Sequence, residues 1–138
     1  MADLRERVES EYEAICRTTD AMSSASRLTE LSVLELAGVA TLLHNFYNGI
    51  ENILKQVFLA KGISIPEGPA WHRDLLTAAQ EHQVLSQATA ERLRQFMAFR
   101  HFFSHAYALD LDPKRMEPLA ADAAGVFQAV AHDVDRLL

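Results

Sequence analysis

The residues of this chain best suited to chemistry lie in one stretch, Leu93-Arg94-Gln95-Phe96-Met97-Ala98-Phe99-Arg100-His101-Phe102-Phe103-Ser104-His105-Ala106-Tyr107. It interleaves arginine, histidine, serine and tyrosine with four phenylalanines. The reaction that such a set supports is metal-free cleavage of a phosphodiester. A neutral imidazole takes the proton of a ribose 2′-hydroxyl, and a guanidinium stabilises the charge growing on phosphorus. A second imidazole then protonates the leaving oxygen. His101 and His105 have the i,i+4 spacing of a metal pair, but no carboxylate shares their face nearby, so no metal and no cofactor is expected.

Placed on a helix at about 100° per residue, the stretch divides into unlike halves. Phe96, Phe99, Phe102, Phe103 and Ala106 form an apolar side fit for burial. Arg94, Arg100, His101, Ser104 and His105 lie on the other, among Leu93, Met97, Ala98 and Ala108, with Tyr107 close to Arg100 in angle. A solvated face favours Glu, Lys and Gln, so this mixture points to a partly covered one. A half-buried guanidinium on the stripe of Leu93 and Tyr107 needs an anion beside it, which is either a phosphate or an acidic side chain. Arg100 and His105 leave the axis about 140° apart, so one helix does not aim both at one atom. Either long side chains converge over a groove, or a second copy across a two-fold axis sets its own Arg-His pair opposite; the second arrangement is preferred.

These residues require a helical scaffold, and long 3.6-residue periodicities dominate the chain. A first helix runs from about Asp3 to Ala21 with Leu4, Val8, Tyr12 and Ile15 on one face, ending in Met22-Ser23-Ser24-Ala25-Ser26. The second and longest runs from about Leu28 to Lys61. Its seam is Leu36, Val39, Leu43, Phe46, Ile50, Ile53 and Val57, and Leu42, Leu54 and Phe58 form a second stripe beside it. Gly62 caps it, and Pro66, Gly68 and Pro69 stiffen the loop that follows. A short helix spans about Arg73 to His82, and Trp71 and His72 are expected to pin the loop against the bundle. The fourth helix runs from about Thr89, as N-cap, to Ala108. Asp112-Pro113 opens the fifth, with Pro118 delaying the helix proper to near Glu117; its stripe is Leu119, Ala123, Val126, Val130 and Leu137. The expected fold is all-α, an up-down four-helix core with a short extra helix, and residues 1–138 form one domain.

Bulk properties narrow the function. At 49% hydrophobic and 23% charged residues, with five glycines and four prolines, the chain is neither disordered nor membrane-spanning, and its charged start is unlike a signal peptide. A cytoplasmic protein is expected. Cys16 has no second cysteine with which to form a disulfide or a thiolate metal site, and is expected to be inert. A net charge of −6 excludes a protein that coats nucleic acid through many cations, and leaves room only for local contact.

Arg100, four residues, His105, one residue and Tyr107 resemble the R-x4-H-x-Y signature of the HepT-like HEPN proteins, with polar His101 after the arginine. The likeness extends to Phe99-Arg100-His101-Phe102-Phe103, Tyr47-Asn48-Gly49-Ile50-Glu51-Asn52-Ile53-Leu54 and Trp71-His72-Arg73-Asp74-Leu75-Leu76, and covers roughly residues 30 to 120. What it implies is a five-helix HEPN bundle and a homodimer with paired motifs lining a cleft. The implied activity is that of an RNase toxin of a type VII toxin-antitoxin system, a metal-independent endoribonuclease acting on RNA such as tRNA. It further implies a minimal nucleotidyltransferase antitoxin that silences the toxin by AMPylation of Tyr107; added phosphate would occupy the place of RNA phosphate beside Arg100. Arg100 and His105 are the expected catalytic residues. His101 is a second acid or phosphate donor, or an ordinary N–H donor. His44, Asn48 and Glu51 share a face of the second helix; Glu51 either orients Arg100 by pairing with it or makes a polar contact within the bundle, and Asn48 supports the same site. Ser104 is assigned no chemistry. The rival reading is a noncatalytic helical dimer module that binds a nucleotidyltransferase or a nucleotide through this face, and the −6 charge mildly favours it. No Gly-rich phosphate loop or cofactor fingerprint supports an enzyme of small-molecule metabolism.

Overall fold

The computed structural model describes residues 3–24 and 27–138. Ala25 and Ser26, in the turn expected after the first helix, lie outside the described residues. Five α-helices follow in order: α1 (Leu4–Ser23), α2 (Val33–Lys61), α3 (Trp71–Glu81), α4 (Gln87–His105) and α5 (Pro113–Asp135), with single 3₁₀ turns at Leu28–Glu30 and Ala108–Asp110. Among the described residues there is no strand. The chain is all-α, a five-helix bundle of HEPN type. Helices α1, α2, α4 and α5 pack in a ring, α2 against each of the others, and α3 lies outside against α4 and α2.

The core follows the periodicities. Val8 and Ile15 of α1 are buried, as are all seven residues of the α2 seam and Leu119, Ala123, Val126 and Val130 of α5. Gly49 is what lets α1 approach α2: a Cβ there would lie 2.8 Å from Ile15 Cγ1. The Tyr12 hydroxyl donates to Asp135 Oδ1 at 3.0 Å, fastening α1 to the end of α5, and burial first and then this contact push its pKa upward.

Helix ends depart from expectation where a side chain outside the apolar pattern decides them. The second helix begins at Val33 instead of Leu28, because Ser32 and Glu35 form a reciprocal capping box that holds Ser32 in extended backbone. Leu28 instead buries itself from a 3₁₀ turn. Helix α3 starts at Trp71, two residues before the expected Arg73. Ser86, not Thr89, caps α4: its Oγ accepts the Thr89 N–H at 3.1 Å, and its own N–H donates to Asp133 Oδ2 on α5. Helix α5 runs unbroken from Pro113 through Pro118. Asp112 Oδ1 accepts from Lys114 N, and buried Met116 anchors the first turn, offsetting the one backbone bond that Pro118 lacks.

The end of α4 matters most for function. The helix stops at His105 instead of Ala108; Ala106 and Tyr107 are extended, and the chain turns so that Leu111 reaches the core. Tyr107 therefore leaves the stripe of Arg100. Phe102 is also not buried with Phe96 and Phe99, at 44% exposure, and Phe103 is only partly buried, because the last turn of α4 overhangs the core.

Candidate functional site

Three elements meet around Arg100. Helix α4 carries it half-buried, α2 supplies Asn48, and the start of α3 forms the opposite wall. Arg100 Nε donates to Asn48 Oδ1 at 3.2 Å. The expected pairing with Glu51 does not form. Glu51 lies on the same face of α2 but is taken by His72, whose Nδ1 is 2.7 Å from Glu51 Oε2. Among the described residues no carboxylate forms an ion pair with Arg100. Of the two candidate anions, the internal acidic side chain is thus not present, and the guanidinium is left with a neutral partner.

A cavity of about 350 Å³ opens beside it, lined by Arg100, His101, His72, Arg73 and the backbone bend at Pro69 and Ala70. No acidic residue lines it. Ala70, at the N-cap of α3, offers no side-chain hydrogen bond, although Asp74 stands in the first turn of that helix. A chain of net charge −6 therefore concentrates cationic groups at one recess. Near it, burial first and then the charges of Arg100 and His72 lower the pKa of His44. Its Nδ1 is buried without a hydrogen-bond partner among the described residues. Burial and the Glu51 carboxylate push the Tyr47 pKa up, so that phenol stays protonated.

The remaining predicted residues lie apart from Arg100. His105 is exposed at the last residue of α4, its ring packed edge-on against His101 with centroids 4.9 Å apart, and it does not line the cavity. Ser104 Oγ donates to the His101 carbonyl at 2.8 Å, a local bond. Tyr107 is 81% exposed. Among the described residues no group of His, Cys, Asp or Glu is arranged to hold a metal ion, and no helix is long and apolar enough to cross a membrane.

Residues 38–138, which span all of these groups, match the family of HepT-like proteins. The chain belongs to that family. Neither the curated proteins nor the solved structures offer a match. Within this HepT-like bundle the sequence pattern located Arg100, His101 and His105 and put His44 on the face of α2 with Asn48, but it gave His72 only a role in pinning the loop and missed Arg73 as a neighbour of the site. The signal available for them was slight. His72 and Arg73 follow a Pro/Gly loop at a helix start, and only the docking of α3 on α2 and α4 makes that loop a wall of the cavity.

Proposed function

We propose that this HepT-like protein is the toxin component of a type VII toxin-antitoxin system, a metal-independent endoribonuclease that acts on RNA such as tRNA, with residues 1–138 acting as one domain. The observation that carries this reading is Arg100: half-buried, bonded among the described residues only to a neutral amide, and lining a recess to which they contribute no acidic side chain. A phosphodiester supplies the anion that this guanidinium lacks. The ribose O2′ attacks phosphorus as its proton passes to an imidazole, Arg100 stabilises the pentacoordinate charge, and the P–O5′ bond breaks as a second imidazole protonates O5′. His105 and His101 are the imidazoles of the motif.

Because His105 stands outside the recess of its own chain, a homodimer that sets two motifs face to face completes the site. Exposed Phe102 and Leu109 beside the motif support such a pairing. Pure protein incubated with tRNA and a chelator should release fragments ending in 2′,3′-cyclic phosphate and beginning in 5′-hydroxyl. Absence of any cleavage across RNA classes would leave the noncatalytic module, binding a nucleotidyltransferase or nucleotide, as the function.

Regulation by the partner nucleotidyltransferase falls on Tyr107. Its phenol stands clear of the bundle on extended backbone, where a second enzyme has access, and the added phosphate brings charge and bulk to the motif. Incubation with the cognate transferase and ATP should add AMP-sized mass increments, and Tyr107→Phe should lose them while still cleaving RNA. Unchanged increments in that variant would move the modification elsewhere.

A further inference from the structure

We infer that His72, held by Glu51, is an acid–base residue of the Arg100 recess and takes the 2′-hydroxyl proton there, while a motif histidine serves as the acid. This rests on the ribonuclease reading above. Glu51 is buried in the bundle, its side chain 3% exposed, and its Oε2 meets His72 Nδ1 at 2.7 Å. A carboxylate only accepts, so Nδ1 carries the hydrogen, and in the neutral ring Nε2 holds the lone pair. The other face of the ring is also fixed. Trp71 stacks on it with centroids 3.6 Å apart, and Lys55 Nζ sits 4.1 Å from the centre of the Trp71 ring.

The imidazole thus has one tautomer and one orientation, and it lines the same cavity as Arg100. Nε2 makes no hydrogen bond among the described residues. A histidine that merely tied α3 to α2 would have no use for an open cavity beside it. A buried carboxylate that holds and orients an imidazole beside a recess is one arrangement that equips a histidine for general-base catalysis. His105, by contrast, does not line the cavity that holds its own Arg100.

In the step assigned to it, Nε2 accepts the 2′-hydroxyl proton as the O2′–P bond forms. The P–O5′ bond then breaks, O5′ takes a proton from His101 or His105 in its acid form, and no oxidant or metal is consumed. The charged and titratable groups around His72 are Glu51, His44 and Lys55 on α2, Arg73 on its own helix, and Arg100 and His101 on α4.

The test is steady-state RNA cleavage by the full chain across a pH series, with thermal unfolding of each variant. His72→Gln should lower kcat about a hundredfold or more with KM little changed, and should remove the acid limb of the pH–rate profile. His72→Ala should regain part of its activity from added imidazole, whereas Arg100→Ala should not. Glu51→Gln should lower kcat while His72 remains in place. If wild type cleaves and the His72 variants retain its kcat and pH profile, the assignment falls and the ribonuclease reading stands. If they lose activity only in proportion to lost folding, with no imidazole rescue, His72 is a tether and the assignment also falls. An inert wild type removes both.

Discussion

Arg100→Ala is expected to lower RNA cleavage by roughly a hundred- to a thousandfold, the usual cost of deleting one donor that meets charge developing in a transition state. Folding should survive, because Arg100 is only half-buried and its one hydrogen bond among the described residues goes to the uncharged amide of Asn48. Arg100→Lys should recover little: an ammonium cannot keep the Nε–Asn48 bond and also present a planar fork to phosphate. His105→Ala should fail in the same assay with its dimer intact. Wild-type cleavage by Arg100→Ala and by His105→Ala would withdraw both residues from catalysis, and with them the proposed use of the recess.

The second large effect is on stability. Phe46 has no exposed surface and packs against Phe96 with centroids 5.1 Å apart, joining α2 to α4 at the centre of the ring. Phe46→Ala should cost about 3–5 kcal/mol. Set against the roughly 5–15 kcal/mol that holds such a domain folded, that is a large part of the total. Chemical denaturation should show a lower midpoint at nearly unchanged slope. Phe102→Ala is the control, since Phe102 is 44% exposed and its removal leaves no closed cavity. Equal losses in the two variants would contradict the overhang at the end of α4.

That pair of phenylalanines also separates what was legible in the sequence from what was not. The seam of α2 and the stripes of α1 and α5 follow from spacing alone, since burial of one face is a local consequence of 3.6-residue periodicity. The R-x4-H-x-Y spacing likewise marked the motif and the family. Phe102 matches the pattern of Phe96 and Phe99, yet no periodicity records where neighbouring helices stop covering α4.

The site divides in the same way. Residue types and spacing along one helix named Arg100 and His105 and their divergence, because angles about an axis are set by covalent geometry. The partner of Arg100 was decided by packing: Asn48 and Glu51 share a face of α2, and the docking of α3 brought His72 to Glu51 and left Asn48 for the guanidinium. The same docking made the start of α3 a wall of the cationic recess. Such contacts join residues tens of positions apart, and their geometry depends on how three helices pack, which no window of sequence encodes.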